Sequence, residues 1–146
     1  MASTADILLV EDDADDLALA LRALRKLRLE DRVAVVRDGV EALDYLFARG
    51  SYSDRRAFTN PRLVLLDLHL PRLPGLEVLK RIRTDDRTKT IPVVVLTSSP
   101  DGDDLSDCYR SGTNSYVVKP VDHREFEAAV ASLSTYWLEL NQAPTS

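Results

Sequence analysis

Five short apolar runs punctuate the chain, and each gives way to polar residues. Ile7 to Val10 leads into Glu11-Asp12-Asp13, Val33 to Val36 into Arg37-Asp38-Gly39, and Leu63 to Leu66 into Asp67. Pro92 to Leu96 leads into Thr97-Ser98-Ser99, and Tyr116 to Val118 into Lys119-Pro120. Continuous apolar runs this short predict strands rather than helices, and Leu63 to Leu66 and Ile7 to Val10 read as buried strands. Between the runs, apolar positions recur at helical spacing. Leu17, Ala20, Leu21, Leu24 and Leu27 share one face behind an Asp13 N-cap, with Asp15 and Asp16 in the first turn. Asp38-Gly39 opens a helix that turns Val40, Leu43, Leu46 and Phe47 inward, and the helix after Gly75 does so with Val78, Leu79 and Ile82. Ser99-Pro100 predicts an N-cap with proline in the first turn. The helix that follows, closed by Gly112, offers only Leu105, Cys108 and Tyr109 as anchors and is expected to be weakly held. Asp122-x-x-Glu125 starts a last helix with Phe126, Ala129, Val130, Leu133, Trp137 and Leu140 on one stripe. Arg49 to Asn60 shows no periodicity and predicts a long surface loop.

Strand and helix thus alternate five times over. That order predicts an α/β fold, a five-stranded parallel sheet with helices on both faces, in one domain spanning residues 1–146. Composition agrees: 45% hydrophobic and 29% charged residues suit an ordinary globular core. A formal net charge of −5 argues against nucleic acid or an anionic membrane as a partner, since both need a basic patch. No apolar run reaches the length of a transmembrane helix, and the first residues lack the pattern of a signal peptide. With Cys108 as the only cysteine there is neither a disulfide framework nor a cysteine zinc site, and the cytoplasm is the expected location.

In a parallel sheet the C-terminal ends of all strands lie along one edge, where open α/β sheets bind their ligands. That edge would receive Glu11 and Asp12, Asp67, Thr97 and Lys119. Crowded carboxylates repel one another and at neutral pH need raised pKa values or a cation. Mg²⁺, a hard ion that keeps several waters and takes few protein carboxylates, is the natural remedy. A hydroxyl and an ammonium opposite them suit the oxygens of a phosphoryl group, and aspartate is a competent nucleophile that forms an aspartyl-phosphate. Each residue also has a plainer reading: Glu11 and Asp12 as helix caps, Thr97 as a strand-end hydroxyl, Lys119 as a solvated turn lysine, Tyr116 as core. Their convergence on one edge is what favours a site. His69 and His123 are too few and too far apart for a histidine metal site, and Cys108 reads as a small buried helix residue.

Val10-Glu11-Asp12-Asp13, Leu66-Asp67-Leu68-His69-Leu70-Pro71, Val95-Leu96-Thr97-Ser98 and Val118-Lys119-Pro120 stand in that order, each at a strand end. Together they resemble the receiver domain of the response regulators of two-component signalling, over essentially the whole chain. The resemblance implies a flavodoxin-like fold of five βα units in which Asp67 accepts a phosphoryl group from a histidine kinase. It implies that Asp12 binds Mg²⁺ directly, Glu11 mostly through water, and that Asp67 and the backbone carbonyl of His69 complete the protein ligands. Thr97 and Lys119 would hold phosphoryl oxygens, with Tyr116 as the aromatic switch. Such a protein is a phosphoacceptor that assists its own phosphotransfer, not an enzyme. Because the chain ends after the fifth helix, its output is expected to be an interaction surface. The Arg49 to Asn60 loop, the Pro-Val-Val-Val-Leu-Thr-Ser strand and the Tyr136-Trp137-Leu138 ending further resemble small stand-alone receivers that partner phytochrome-type histidine kinases. Two departures stand out: His69 occupies a position where many receivers have Asn, and Pro74-Gly75 one where Asp-Gly is commoner.

Two other functions compete on the same fold. An aspartyl-nucleophile phosphatase usually wants a second acid two residues after the nucleophile, where this chain has His69. A nucleotide or flavin binder wants a glycine-rich phosphate loop, and none follows any of the strands. The last helix is expected to run on to about Asn141, further than a sheet edge needs. Tyr136, Trp137, Leu138 and Leu140 then fall on more than one face, which predicts a homodimer built on that helix.

Overall fold

The computed structural model describes residues 5–55 and 59–144. Its strands are β1 (Ile7–Val10), β2 (Val33–Val36), β3 (Leu63–Leu66), β4 (Val93–Thr97) and β5 (Ser115–Val118). Its helices are α1 (Ala14–Lys26), α2 (Gly39–Leu46), α3 (Gly75–Thr84), α4 (Gly102–Arg110) and α5 (His123–Thr135). The strands form one parallel sheet in the order β2-β1-β3-β4-β5. This is the doubly wound, flavodoxin-like arrangement, in which the chain reverses direction across the sheet between β1 and β3.

Strand register decides where the polar tips land. Val10 pairs with both Val36 and Leu66, so Glu11 and Asp67 emerge side by side. Thr97 pairs with Val118, which sets Lys119 one residue beyond it. Alternate strand residues feed two apolar layers, and this is why the runs read as continuous. Leu8, Val10, Val64, Leu66, Val93 and Val95 face α2, α3 and α4, packing with Leu43, Leu46, Val78, Leu79 and Ile82. Ile7, Leu9, Leu63, Leu65, Val94 and Leu96 face α1 and α5, packing with Ala20, Leu24, Phe126 and Val130. Among the described residues no helix is long and apolar enough to cross a membrane.

Four local expectations need correction. α4 begins at Gly102, capped by the Asp101 carboxylate on the amide of Asp103, not at Ser99-Pro100. The Ser99 hydroxyl instead accepts from the Asp101 amide and donates to Asp104, which spends its capping chemistry on the turn. On α1, Ala23 joins Ala20 and Leu24 in the core while Leu27, the C-cap, stays 39% exposed. The loop after α2 is anchored rather than merely polar: Arg55 is buried and donates to the carbonyls of Tyr45 and Leu46 at the end of α2. Finally, α5 passes into a π-helical turn over Tyr136–Leu140, closed by the Asn141 amide on the Tyr136 carbonyl. That wider turn breaks the predicted stripe, burying Leu138 and leaving Leu140 68% exposed.

Candidate functional site

The site grows from the tips of β1 and β3. The Asp67 amide donates to the Val10 carbonyl and the Glu11 amide to that of Val36, so both residues leave the sheet in fixed directions. Glu11 and Asp67 are buried, with 3% and 7% of their surfaces exposed. α3 packs its first residue directly under the acceptor loop. A β-carbon on Gly75 would lie 2.2 Å from the Asp67 carbonyl oxygen, so only glycine permits this approach. Pro74 precedes it, and the Gly75 amide donates to the Leu68 carbonyl, which makes the Pro74-Gly75 pair a close-packed junction between strand and helix.

Lys119 reaches across from beyond β5. Its ammonium donates to Glu11 Oε1 at 2.7 Å, Asp16 Oδ2 at 2.7 Å and Asp67 Oδ2 at 3.2 Å. The other Asp67 oxygen accepts from the His69 amide at 3.3 Å, and Glu11 Oε2 accepts from the Asp13 amide. Burial pushes the Glu11 carboxyl up to about 7; the Lys119 hydrogen bond pulls it back and the Asp67 charge adds to the rise. Burial alone would lower the Lys119 ammonium, but its hydrogen bonds to Asp16 and Glu11 and the charge of Asp67 hold it above its ordinary value.

Thr97 is fully buried at the tip of β4, its hydroxyl oxygen 3.4 Å from the Ser99 amide. Tyr116 is half-buried against the core, and its hydroxyl donates to the Ser99 carbonyl at 2.8 Å. Thr97 and Tyr116 are therefore joined through one short segment. Asp12 stands exposed on the rim, its carbonyl accepting from Arg37, and the His69 side chain is exposed as well. The structure thus brings Glu11, Asp67 and Lys119 into direct contact, with Thr97 and Asp12 at neighbouring positions. Cys108 is buried, and burial raises its thiol to about 11, so it is an inert core residue.

Asp16, which its sequence position places in a helix turn, also belongs to the site. Its place at the start of α1, behind three acids, gave no sign of a contact to a lysine 103 positions away. Among the described residues no cluster of three acid, histidine or cysteine side chains is drawn together around one metal position. Lys119 sits between the buried carboxylates instead. The donor chemistry nevertheless suits a hard divalent ion, because three carboxylates face a single ammonium and offer only oxygen ligands.

Fold order and site together define a receiver. The chain belongs to the response regulator receiver domain family, with the match running over residues 7–131. It is accordingly a component of two-component signalling and not a classical enzyme. Among curated proteins it is 43% identical over 138 residues to a probable methanogenesis regulatory protein, FilR2, of Methanothrix harundinacea, covering 94% of this chain and 86% of that one. Among solved structures it is similar to the phosphorylated cyanobacterial phytochrome response regulator RcpA. There the TM-score is 0.89 at 36% identity, covering 98% of this chain and 100% of that one. It is also similar to the Mn²⁺-bound form of the response regulator Rcp1, with a TM-score of 0.87 at 35% identity over 95% of this chain and 98% of that one. Rcp1 is a Synechocystis protein.

Proposed function

We propose that this receiver accepts a phosphoryl group on Asp67 from the phosphohistidine of a histidine kinase and signals through protein contacts. The observation that carries the reading is Asp67 itself, buried at the tip of β3 with one oxygen 3.2 Å from the Lys119 ammonium. In the transfer an Asp67 oxygen sheds its hydrogen-bond donor and attacks phosphorus, the new O–P bond forms as the P–N bond breaks, and the imidazole takes the leaving electron pair. Lys119 then turns an N–H toward a phosphoryl oxygen, and the Thr97 hydroxyl does the same from β4. Glu11, Asp12, Asp67 and the His69 carbonyl are the groups that would hold Mg²⁺. When bound, that ion neutralises the carboxylates and the arriving phosphoryl oxygens. A relative solved with Mn²⁺ supports a divalent ion in this role.

Thr97 and Tyr116 carry the change outward. A Thr97 hydroxyl drawn toward phosphate moves the Ser99 segment, to which the Tyr116 hydroxyl is tied, and with it α4. The similarity to RcpA supports a phytochrome-type kinase as the partner, and a lone, buried, free cysteine supports the cytoplasm as the setting. The 43% identity to FilR2 supports a second reading, the same transfer from a kinase of another class. A homodimer through the end of α5 is supported by Tyr136 and Leu140, which are 47% and 68% exposed, although Leu138 is turned inward. In sedimentation velocity the chain should run near twice its monomer mass and lose that species when truncated before Tyr136. A monomer with and without phosphorylation refutes the dimer.

The acceptor assignment has a direct test. Incubation with acetyl phosphate and Mg²⁺ should add one phosphoryl mass, acid-stable and base-labile, that is abolished by EDTA. Asp67→Asn should abolish it too. Equal labelling of Asp67→Asn would overturn the assignment.

A further inference from the structure

The Lys119 ammonium has three N–H donors, and each goes to a different carboxylate. The two shorter contacts, 2.7 Å to Glu11 and 2.7 Å to Asp16, belong to residues other than the acceptor. Asp67 receives the longest, at 3.2 Å. The three partners also differ in exposure. The Glu11 and Asp67 side chains are 4% and 9% exposed, whereas Asp16 is 30% exposed and reaches in from the rim. Its backbone is held in place, since its own amide is capped by Asp13 at 2.9 Å in the first turn of α1.

We infer that Asp16 is a positioning residue for phosphotransfer: it draws the Lys119 ammonium toward α1 and off Asp67, leaving the acceptor carboxylate only loosely paired. The inference rests on the reading of Asp67 as the acceptor. Its physical basis is a difference between ion pairs. Buried pairs are strong because the surroundings screen them poorly, while a half-exposed pair exchanges readily with water. Without Asp16 the ammonium has only buried partners, and it closes on Asp67 toward the roughly 2.8 Å of a tight charge-assisted hydrogen bond. Such a pair occupies a lone pair on the attacking oxygen and has to break before transfer. With Asp16 present, the ammonium is parked on a partner that gives it up to water as the phosphoryl oxygens arrive.

The test uses the full chain carrying Asp16→Ala or Asp16→Asn, labelled with acetyl phosphate at saturating Mg²⁺. Alongside it, ¹⁵N-detected NMR of the metal-free protein follows hydrogen exchange of the Lys119 ammonium. Asp16→Ala should lower the maximal labelling rate about tenfold, the scale of one charge-assisted hydrogen bond, and slow exchange of the ammonium protons, which then have only buried partners. Asp16→Asn, which keeps a neutral acceptor, should fall between; it also carries the test should the alanine variant fail to fold. Labelling at the wild-type rate would overturn the inference even if the melting temperature drops, because a merely structural contact moves only the latter. Slower labelling with the ammonium signal unmoved would overturn it as well. A wild-type protein that takes no label removes the acceptor reading first, and this inference with it.

Discussion

α3 and α4 are nearly equal in length and pack on the same face of the sheet, yet they are held very differently. α3 buries Gly75, Val78, Leu79 and Ile82, while Cys108 is the one buried residue of α4 among those described. Leu105 and Tyr109, the other apolar side chains of α4, remain 39% and 53% exposed. The two ends of α4 differ as well. Beyond its C-terminal end, Arg83 of α3 donates to the Gly112 carbonyl and to Asn114 Oδ1, both at 2.7 Å, clamping the turn that follows. The segment before its N-terminal end is held by part-exposed hydrogen bonds among Ser99, Asp101, Asp104 and Tyr116 that can exchange with water. One helix thus fixes the floor on which Asp67 stands. The other, beside Thr97 and Tyr116, is free to answer a change there, because little burial opposes its displacement.

That contrast should be visible first in stability. Ile82 is fully buried between α3 and the sheet, so Ile82→Ala removes packing and leaves a cavity. A loss of about 3–4 kcal/mol is expected in urea unfolding. Leu105→Ala on α4 should cost no more than about 0.5 kcal/mol, as expected for a part-exposed position. Comparable losses from the two would show that α4 is anchored by something other than its own apolar residues, and the division between floor and moving part would fall.

The sequence made the floor legible and hid the connections. β1, β3 and β4 are continuous apolar runs because both of their faces are covered, and an acid directly after such a run has nowhere to go but the sheet edge. Glu11, Asp67 and Thr97 could therefore be placed from spacing alone. Contacts made by flexible side chains across long stretches leave no periodic trace. Asp16 looked like a first-turn acid, and Arg55 like one more charge in a polar loop, although it caps the last carbonyls of α2 from the core side. At α4 the sequence points to Ser99 as the cap, but Ser99 is taken up by bonds to Asp104 and Tyr116, and Asp101 caps the helix instead. In the last helix the period itself changed, since a π turn shifts every residue after it around the axis.

A smaller contrast than that between Ile82 and Leu105 concerns the helix caps, and it separates local from global opening. Asp38 caps α2 through the Glu41 amide at 2.8 Å, and α2 is built into the core through Ala42, Leu43, Tyr45 and Leu46. Asp101 caps α4 through the Asp103 amide at 2.7 Å, an equally good bond on a helix with almost no core contact. Each cap contributes about 1 kcal/mol to its own helix. α2 cannot come apart unless the core does, so Asp38→Ala should shift the urea midpoint by that full amount. α4 can open with the rest of the fold intact, so Asp101→Ala should leave the midpoint nearly unchanged. It should instead speed hydrogen exchange of the amides from 102 to 110 by about fivefold, the equilibrium factor that corresponds to one cap. Equal midpoint shifts from the two variants would mean that α4 unfolds only with the whole domain. The route from Thr97 and Tyr116 would then have to run through a rigid displacement of the helix rather than through its loosening.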